Sequence, residues 1–158
     1  MWGFQMDKLV YSLATDKDIP FICKTYNENI DALHGVYRNE DVWQKLLADK
    51  DSAYYIVFAD APVAWFRTET EDGALWIGML QVAPSFQRKG IGKYIISIVE
   101  KMAKTQGFST VGIHTTEDNA GARALYAGAG YKVTEIGPCT TADGVDRVGY
   151  TFQKELLG

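Results

Sequence analysis

The residues with the clearest chemistry in this chain form a short basic segment rich in glycine, Gln87-Arg88-Lys89-Gly90-Ile91-Gly92. It joins an apolar run that ends at Val82 to an amphipathic helical pattern. Glycine lets the backbone approach an anion closely, and the first amides of a helix lack intrahelical partners and present the positive end of the helix dipole. Arg88, Lys89 and Lys93 add positive side chains. The segment therefore predicts a pyrophosphate site.

Two other phosphate-binding motifs are excluded by single residues. A Walker loop needs Ser or Thr after its lysine to hold magnesium, but Tyr94 follows Lys93. A dinucleotide fingerprint needs a third small residue where this chain has Ile95. The pattern thus favours a ligand that carries a pyrophosphate and binds without a metal.

Composition and charge exclude several classes of partner. The chain has 158 residues, 47% of them hydrophobic, and a formal net charge of -4, so we expect a single domain over residues 1–158. Nucleic-acid binding needs a basic stripe, and this chain is basic only in the short segment above. No apolar run approaches the roughly 20 residues that span a bilayer. We therefore expect neither a nucleic-acid partner nor a membrane partner.

Targeting signals and cysteine usage predict the compartment. The N-terminus lacks a basic segment followed by an apolar stretch and a cleavage site, which predicts a cytoplasmic protein. Cys23 falls in a helical pattern and Cys139 in a loop, with neither C-x-x-C spacing nor a His/Cys cluster. We expect both cysteines to be reduced thiols and we expect no metal site.

The elements that position the basic segment follow from periodicity and turn residues. Strands are predicted at 9–14, 53–59, 63–70, 75–82, 110–115, 131–136 and 147–154. Helices are predicted from the cap at 15–18 to Asn29, after 39–41, from Gly92 to Gly107, and from near Asn119. Residues 31–38 and 137–146 are left as loops. Three consecutive strands, 53–59, 63–70 and 75–82, form an antiparallel meander because only short turns separate them.

Several side chains are expected to face the core or to shape a strand. The helix after 39–41 is expected to bury Val42, Leu46 and Leu47, and the last helix Ala122, Leu125, Tyr126 and Ala129. Gly78, inside the third strand of the meander, predicts a bulge or the close approach of another group.

The order of these elements, together with three motifs, resembles the GCN5-related N-acetyltransferase (GNAT) superfamily. The motifs are Val82-Ala83-Pro84, Gln87-x-x-Gly90-x-Gly92 and Asn119-x-x-Ala122-x-x-Leu125-Tyr126-x-x-x-Gly130-Tyr131. The resemblance rests on these motifs from about residue 53 to 136 and on element order alone outside that range. It implies an α/β fold with a mostly antiparallel mixed sheet, one splayed parallel pair of strands and about four flanking helices.

By that resemblance the ligand is acetyl-CoA. The amides of Arg88, Lys89, Gly90, Ile91, Gly92 and Lys93, after Gln87, would take the pyrophosphate. Leu80, Gln81 and Val82 would hydrogen-bond the pantetheine like an added strand, and the Val82 amide would polarise the thioester carbonyl. The acetyl group would meet the acceptor amine where strands 75–82 and 110–115 splay apart.

Three residues of the last helix have two interpretations each. Tyr126 matches the family tyrosine that faces the cofactor sulfur, where a protonated phenol donates to the leaving thiolate, and it is also a plausible core aromatic. Asn119 matches a cofactor-contacting position and is also a typical helix N-cap. Arg123 is either a cofactor contact or a solvated charge.

The general base is where the chain departs from the family pattern. Many relatives carry a glutamate on the strand before the pyrophosphate turn, but residues 75–82 contain neither a carboxylate nor a histidine. Glu69, His114 or a chain of ordered waters is left to serve. Glu69 also fits a solvated hairpin edge, and His114 also fits a structural histidine, so neither is chosen.

The resemblance implies an N-acetyltransferase that moves acetyl directly to a primary amine, without a covalent enzyme intermediate. The acceptor pocket would be shaped by 31–38, with His34, Tyr37 and Arg38, and by 137–146. A small-molecule acceptor is favoured over a protein because nothing in the sequence indicates a peptide-binding surface. Relatives suggest a homodimer. The alternative function is an acyl-CoA-binding regulatory module without turnover, motivated by the missing strand carboxylate.

Overall fold

The computed structural model describes residues 6–156. Within that range the chain forms seven strands and five α-helices. In chain order they are β1 (Val10–Leu13), α1 (Ile19–Glu28), α2 (Ile30–Leu33), α3 (Glu40–Ala48), β2 (Ser52–Ala59), β3 (Ala61–Glu71), β4 (Ala74–Val82), α4 (Ile91–Gln106), β5 (Thr110–Thr116), α5 (Ala120–Gly128), β6 (Lys132–Thr140) and β7 (Asp146–Glu155). None of the helices in this range has the length and apolar character needed to cross a membrane.

The seven strands form one mixed sheet in the order β1-β2-β3-β4-β5-β7-β6. Only β4 and β5 run parallel, and they pair over 74–77 and 110–113 alone. Beyond Ile77 and Ile113 the two strands separate, although β4 continues to Val82 and β5 to Thr116. The α/β fold class, the meander and the splayed parallel pair predicted from the sequence are confirmed.

Two hydrophobic cores cover the two faces of the sheet. One packs α4 and α5 on one face, with Ile95, Val99 and Tyr126 among its buried side chains. The other packs α1 and α3 on the opposite face around Trp43, which is fully buried. Strand β3 contributes to both cores because successive side chains of a strand point to opposite faces of the sheet. Trp65 belongs to the second core and Phe66 to the first.

Gly78 forms the bulge that its position in β4 predicted. Arg67 pairs with Met79 and Thr68 with Ile77, so Gly78 has no partner on β3. A Cβ on Gly78 would lie 2.5 Å from Arg67 Nε, which explains why a residue without a side chain stands there. The bulge lies directly after the last β4–β5 pair.

Three local predictions were wrong. Part of the expected 31–38 loop is helix α2. In α3 the buried residue is Trp43 and not Val42, which is 38% exposed, because the large indole fills the aromatic cluster of the second core. Strand β6 continues through Pro138 and Cys139 to Thr140, which shortens the expected 137–146 loop to a turn. Pro138 is tolerated because β6 is an edge strand.

Candidate active site

The turn between β4 and α4 holds a series of unpartnered amides. The backbone is left-handed at Arg88, with φ 61°, and at Gly90, with φ 90°. The first amide of α4 to find a helical acceptor is that of Tyr94, which donates to the Gly90 carbonyl at 3.1 Å. The amides of residues 88–93 have no acceptor within residues 6–156. This arrangement suits an anion, as the sequence predicted.

Gly92 has a second structural role in this turn. A Cβ there would lie 2.9 Å from Leu125 Cδ2, so the missing side chain lets α4 approach α5 closely. The sequence pattern associated Gly92 only with anion binding and did not predict this packing role.

The end of β4 presents an open backbone edge to the gap left by β5. The Ala83 amide donates to the Val63 carbonyl at 2.9 Å, so it points toward β3. Because the backbone groups of successive strand residues point to opposite edges, those of Val82 point away from β3 and toward the gap. The Val82 carbonyl oxygen accepts hydrogen bonds from Asn29 Nδ2 at 3.0 Å and Gln87 Nε2 at 3.1 Å. Val82 therefore offers its amide, but not its carbonyl, to a ligand on this edge.

The side chain of Asn29 links the end of β4 to the turn that follows it, a role that the sequence did not predict. It lies between α1 and α2, and its Nδ2 also donates to Gln81 Oε1 at 3.0 Å. Its Oδ1 accepts from Gln87 Nε2 at 3.1 Å. Gln81 is only 4% exposed, so this hydrogen bond satisfies a buried amide. Nothing local in the sequence signals the role, because Asn29 looks like the end of a helix.

Ten predicted cofactor residues line one cavity of about 710 Å³, the turn cavity. They are Leu80, Gln81, Val82, Gln87, Arg88, Gly90, Ile91, Gly92, Lys93 and Asn119. Glu28 and Asp31 also line it. Lys89 is exposed and lies outside it, and Tyr126 lies in the neighbouring cavity.

That neighbouring cavity, of about 320 Å³, occupies the gap where β4 and β5 separate, and we call it the cleft cavity. It shares Leu80, Gln81 and Asn119 with the turn cavity. Tyr126 lies on its wall, 7% exposed, with its ring edge-on to Phe152 at 5.5 Å. The Tyr126 hydroxyl has no hydrogen-bond partner in the described part of the chain. Burial raises the pKa of Tyr126 to about 12, so the phenol stays protonated at neutral pH.

His114 follows the last β4–β5 pair and also lines the cleft cavity. Its ring stacks on Trp76 at 4.7 Å with an interplanar angle of 9°. Trp76 can lie there because Gly112 has no side chain, since a Cβ on Gly112 would come within 2.4 Å of the indole. His114 Nδ1 is 3.0 Å from Thr151 Oγ1. Its Nε2 has no partner among residues 6–156 and is available to a ligand.

A third cavity, of about 430 Å³, opens beside the cleft along the β6–β7 hairpin, and we call it the hairpin cavity. His114, Thr115 and Asn119 line both cavities. Asn119 borders all three cavities, and its Oδ1 also caps α5 by accepting from the Ala122 amide at 3.1 Å. Its two interpretations are therefore compatible.

The other candidates from the sequence lie elsewhere. Glu69 lies 3.9 Å from Arg67 and lines a separate cavity with Lys50 and Gln106. Arg123 donates to the Glu117 carbonyl at 2.9 Å and stacks over Tyr150 at 4.4 Å; it is partly exposed and lines none of the four cavities described. Tyr37 is 73% exposed and lines none of the four cavities described.

A chain of ion pairs and hydrogen bonds, the bridge, joins the α2–α3 connection to the β6–β7 hairpin. His34 Nε2 is 2.8 Å from Asp118 Oδ2, and the Asp143 amide donates to the His34 carbonyl at 3.1 Å. Arg147 contacts Asp143 at 2.9 Å and Asp118 at 3.7 Å. Hydrogen bonds, first from the Thr116 hydroxyl and then from His34, lower the pKa of Asp118. The Thr141 hydroxyl and Arg147 lower the pKa of Asp143 to about 2.

Comparisons with known proteins agree with this geometry. The model of the acetyltransferase (GNAT) family matches residues 19–131. A curated relative, GCN5-related N-acetyltransferase 4, chloroplastic, from Arabidopsis thaliana, is 34% identical over 64 residues, which are 40% of this chain and 22% of that protein. The match thus spans under a quarter of the relative's length.

Solved structures share the fold over nearly the whole chain. An acetyl transferase from Salmonella typhimurium that modifies the N-terminal serine of a 50S ribosomal subunit protein superposes with a TM-score of 0.82 at 15% identity, covering 98% of each chain. The protein yncA, also from Salmonella typhimurium and solved with its cofactor acetyl-CoA, has a TM-score of 0.73 at 16% identity and covers 94% of each chain.

Proposed function

This chain belongs to the GNAT family of acetyltransferases, and from that premise we propose that it transfers acetyl from acetyl-CoA directly to a primary amine of a small molecule. The observation that carries the proposal is that Arg88 and residues 90–93, whose amides are unpartnered, line one cavity with the open edge of β4, and that this cavity continues into the cleft beside Tyr126 and His114.

The described residues fit acetyl-CoA. The amides of 88–93 and the side chains of Arg88 and Lys93 are the groups proposed to hold the pyrophosphate. Lys89 does not line the turn cavity, so it is included in this proposal only for its unpartnered backbone amide. Leu80, Gln81 and Val82 are proposed to hold the pantetheine, with Val82 acting through its amide. Acetyl-CoA supplies the acetyl group as a thioester, whose C–S bond breaks as the C–N bond of the amide product forms.

Two protons must move in this reaction, and one residue is proposed for each. Tyr126 holds a proton on its hydroxyl at the cleft wall, because burial keeps the phenol neutral. This makes it the proposed donor to the leaving sulfur. His114 Nε2 is the proposed acceptor of the proton that an alkylammonium must lose before it attacks.

The geometry favours His114 over Glu69 as the base. His114 lines both the cleft and the hairpin cavity, whereas Glu69 lies at a different cavity. A donor bond from Nδ1 to Thr151 Oγ1 would keep Nε2 free to accept a proton, and this bond persists when the ring is charged. A chain of ordered waters is the alternative, and the His114→Gln variant discussed below distinguishes it.

Compartment and assembly complete the proposal. Both cysteines are free, which favours a reducing compartment, for which we propose the cytoplasm. Val133 and Ile136 are exposed on β6, at one edge of the sheet. They support a homodimer through that edge.

The proposal is tested by incubating the protein with acetyl-CoA and a panel of primary amines while thiol release and the masses of the products are followed. The expected result is thiol release matched by an amine product heavier by one acetyl group. Calorimetry with CoA runs in parallel. Binding of CoA without turnover on any amine would support the regulatory-module alternative, and absence of CoA binding would refute the proposed site.

A further inference from the structure

Arg38 lies on the wall of the cleft cavity in a fixed position. Its guanidinium stacks over the Tyr26 ring at 4.8 Å and the Trp43 ring at 5.3 Å, and both rings are buried. Asn27 holds its backbone on both sides: the Arg38 amide donates to Asn27 Oδ1 at 3.0 Å, and Asn27 Nδ2 donates to the Arg38 carbonyl at 2.8 Å. The charge is therefore positioned by its surroundings before any ligand arrives.

The guanidinium of Arg38 has no anionic partner within residues 6–156. Arg67 and Arg147 are paired with carboxylates, and Arg123 donates to a backbone carbonyl. The remaining arginine, Arg88, lies in the turn proposed for the pyrophosphate. Arg38 and Arg88, whose guanidinium groups make neither an ion pair nor a hydrogen bond in the described chain, thus each line a cavity.

The rest of the cleft cavity is neutral or apolar. Among described residues no aspartate or glutamate lines it, and one part of its wall is apolar, formed by Leu33, Ile77, Met79, Leu80, Ile113 and Leu125. The nearby carboxylates of Glu28 and Asp31 line the turn cavity instead. A guanidinium in such surroundings binds a carboxylate with two charge-assisted hydrogen bonds and disfavours a second cation.

We propose that the acceptor carries a carboxylate as well as its amine, that is, that it is a free amino acid or a close analogue. The inference rests on the proposed function and deepens it. Arg38 binds the carboxylate, the aliphatic wall takes the side chain, and the amine lies toward His114 and Tyr126, which line the same cavity. Polyamines and other purely cationic amines are poor acceptors under this assignment.

The test compares matched acceptors on matched variants. The acceptors are the free amino acids, their α-amides and the corresponding decarboxylated amines, each assayed for acetyl-CoA-dependent acetylation. The variants are Arg38→Gln and Arg38→Lys, with Arg123→Gln as the control, because Arg123 also stacks on a tyrosine but lines none of the cavities. CoA binding is measured for each.

Wild-type protein is expected to acetylate at least one free amino acid more efficiently than the α-amide and the decarboxylated amine that correspond to it. Arg38→Gln should lower kcat/KM for that amino acid about 10- to 100-fold while changing the weaker amide rate little, and Arg38→Lys should fall between. Arg123→Gln should behave as wild type. A structural role for Arg38 would lower both rates equally and overturn the inference.

Two further outcomes separate this inference from the proposed function. Efficient acetylation of amides or plain amines, with amino acids no better, would overturn the inference and leave the transferase function standing. Absence of acetylation on every acceptor would refute the transferase function, and the inference would fall with it.

Discussion

The hydroxyl of Tyr126 differs from an exposed phenol because its ring is buried in the first core while the cleft lies beside it. Burial raises its pKa to about 12, so the group holds its proton across the physiological range. At the scale of single residues, this is the property that a proton donor needs.

Tyr126→Phe is expected to lower kcat by about 100-fold, the scale of one general acid, while the Kd for CoA stays the same. The ring stays in the core, so the melting temperature should change little. Steady-state kinetics and calorimetry measure the two quantities. Equal turnover for the variant and wild type would remove the acid role.

His114→Gln is expected to lower kcat/KM by about 100-fold while the Kd for CoA stays the same, because it removes the ring nitrogen that is proposed to take the proton of the acceptor. His34→Gln is the control, since these are the two histidines of the chain. Kinetic assays and CoA titrations by calorimetry test this. A His114→Gln protein as active as wild type would favour a water chain.

At the scale of elements, the junction of β4 and α4 depends on a backbone conformation that side chains disfavour. Gly90 has φ 90°, and a Cβ there would make only an ordinary contact with Met6, at 3.7 Å. The constraint is therefore in the backbone and not in packing.

Gly90→Ala is expected to lower the free energy of unfolding by about 1–2 kcal/mol and to weaken CoA binding, because the turn must distort to relieve the strain. Gly128→Ala is the control. It lies in α5 with nothing within 4 Å of the added Cβ and should stabilise the protein slightly. Denaturant unfolding and calorimetry are the measurements. A Gly90→Ala protein as stable as wild type would contradict this account of the turn.

At the scale of the whole molecule, two cores on opposite faces of one sheet must both form for the cleft to exist. The second core surrounds Trp43, which packs edge-on against Tyr26 at 5.1 Å and Trp65 at 5.2 Å. The Trp43 indole nitrogen is buried, with no hydrogen-bond partner among residues 6–156.

Trp43→Ala is expected to destabilise the protein by about 3–5 kcal/mol through the cavity it leaves. Trp43→Phe should cost less, since it keeps a ring and removes an unsatisfied donor. Tyr37→Ala, at an exposed position, is the control and should change the free energy of unfolding by less than about 0.5 kcal/mol. Chemical denaturation distinguishes the three. A loss in Trp43→Ala as small as that of the control would contradict the packing described.

The bridge ties the two sides of the cleft together, and its carboxylates make it sensitive to acid. Asp118 and Asp143 have lowered pKa values, so the contacts they make are present at neutral pH. They should be lost as the pH falls below about 4, the ordinary carboxyl value, toward the value of about 2 for Asp143.

Acidification is therefore expected to shift the amide resonances of Asp143 and Val145 before the cores unfold, and Arg147→Met is expected to produce the same shift at neutral pH. The ion pairs of Arg147 with Asp118 and Asp143 are accessible to solvent, so the global stability of the variant should change little. Resonances that stay unchanged until global unfolding would show that the bridge does not open independently.

The sequence by itself determined the features that depend on neighbours along the chain. The turn at 87–92, the caps of the helices, the meander and the bulge at Gly78 were all predicted, because local spacing and turn residues fix them. The order of the motifs was enough to predict the family.

Only the tertiary structure decided which distant side chains meet. Asn29 and Gln81 are 52 residues apart, and His34 and Asp118 are 84 apart, and nothing in their local sequence records these contacts. The structure likewise separated His114, in the cleft, from Glu69, outside it, and showed that of His34, Tyr37 and Arg38 it is Arg38 that lines the cleft cavity. The physical reason is that periodicity tells which face of an element is buried, whereas the identity of its neighbour depends on how the whole sheet twists and splays.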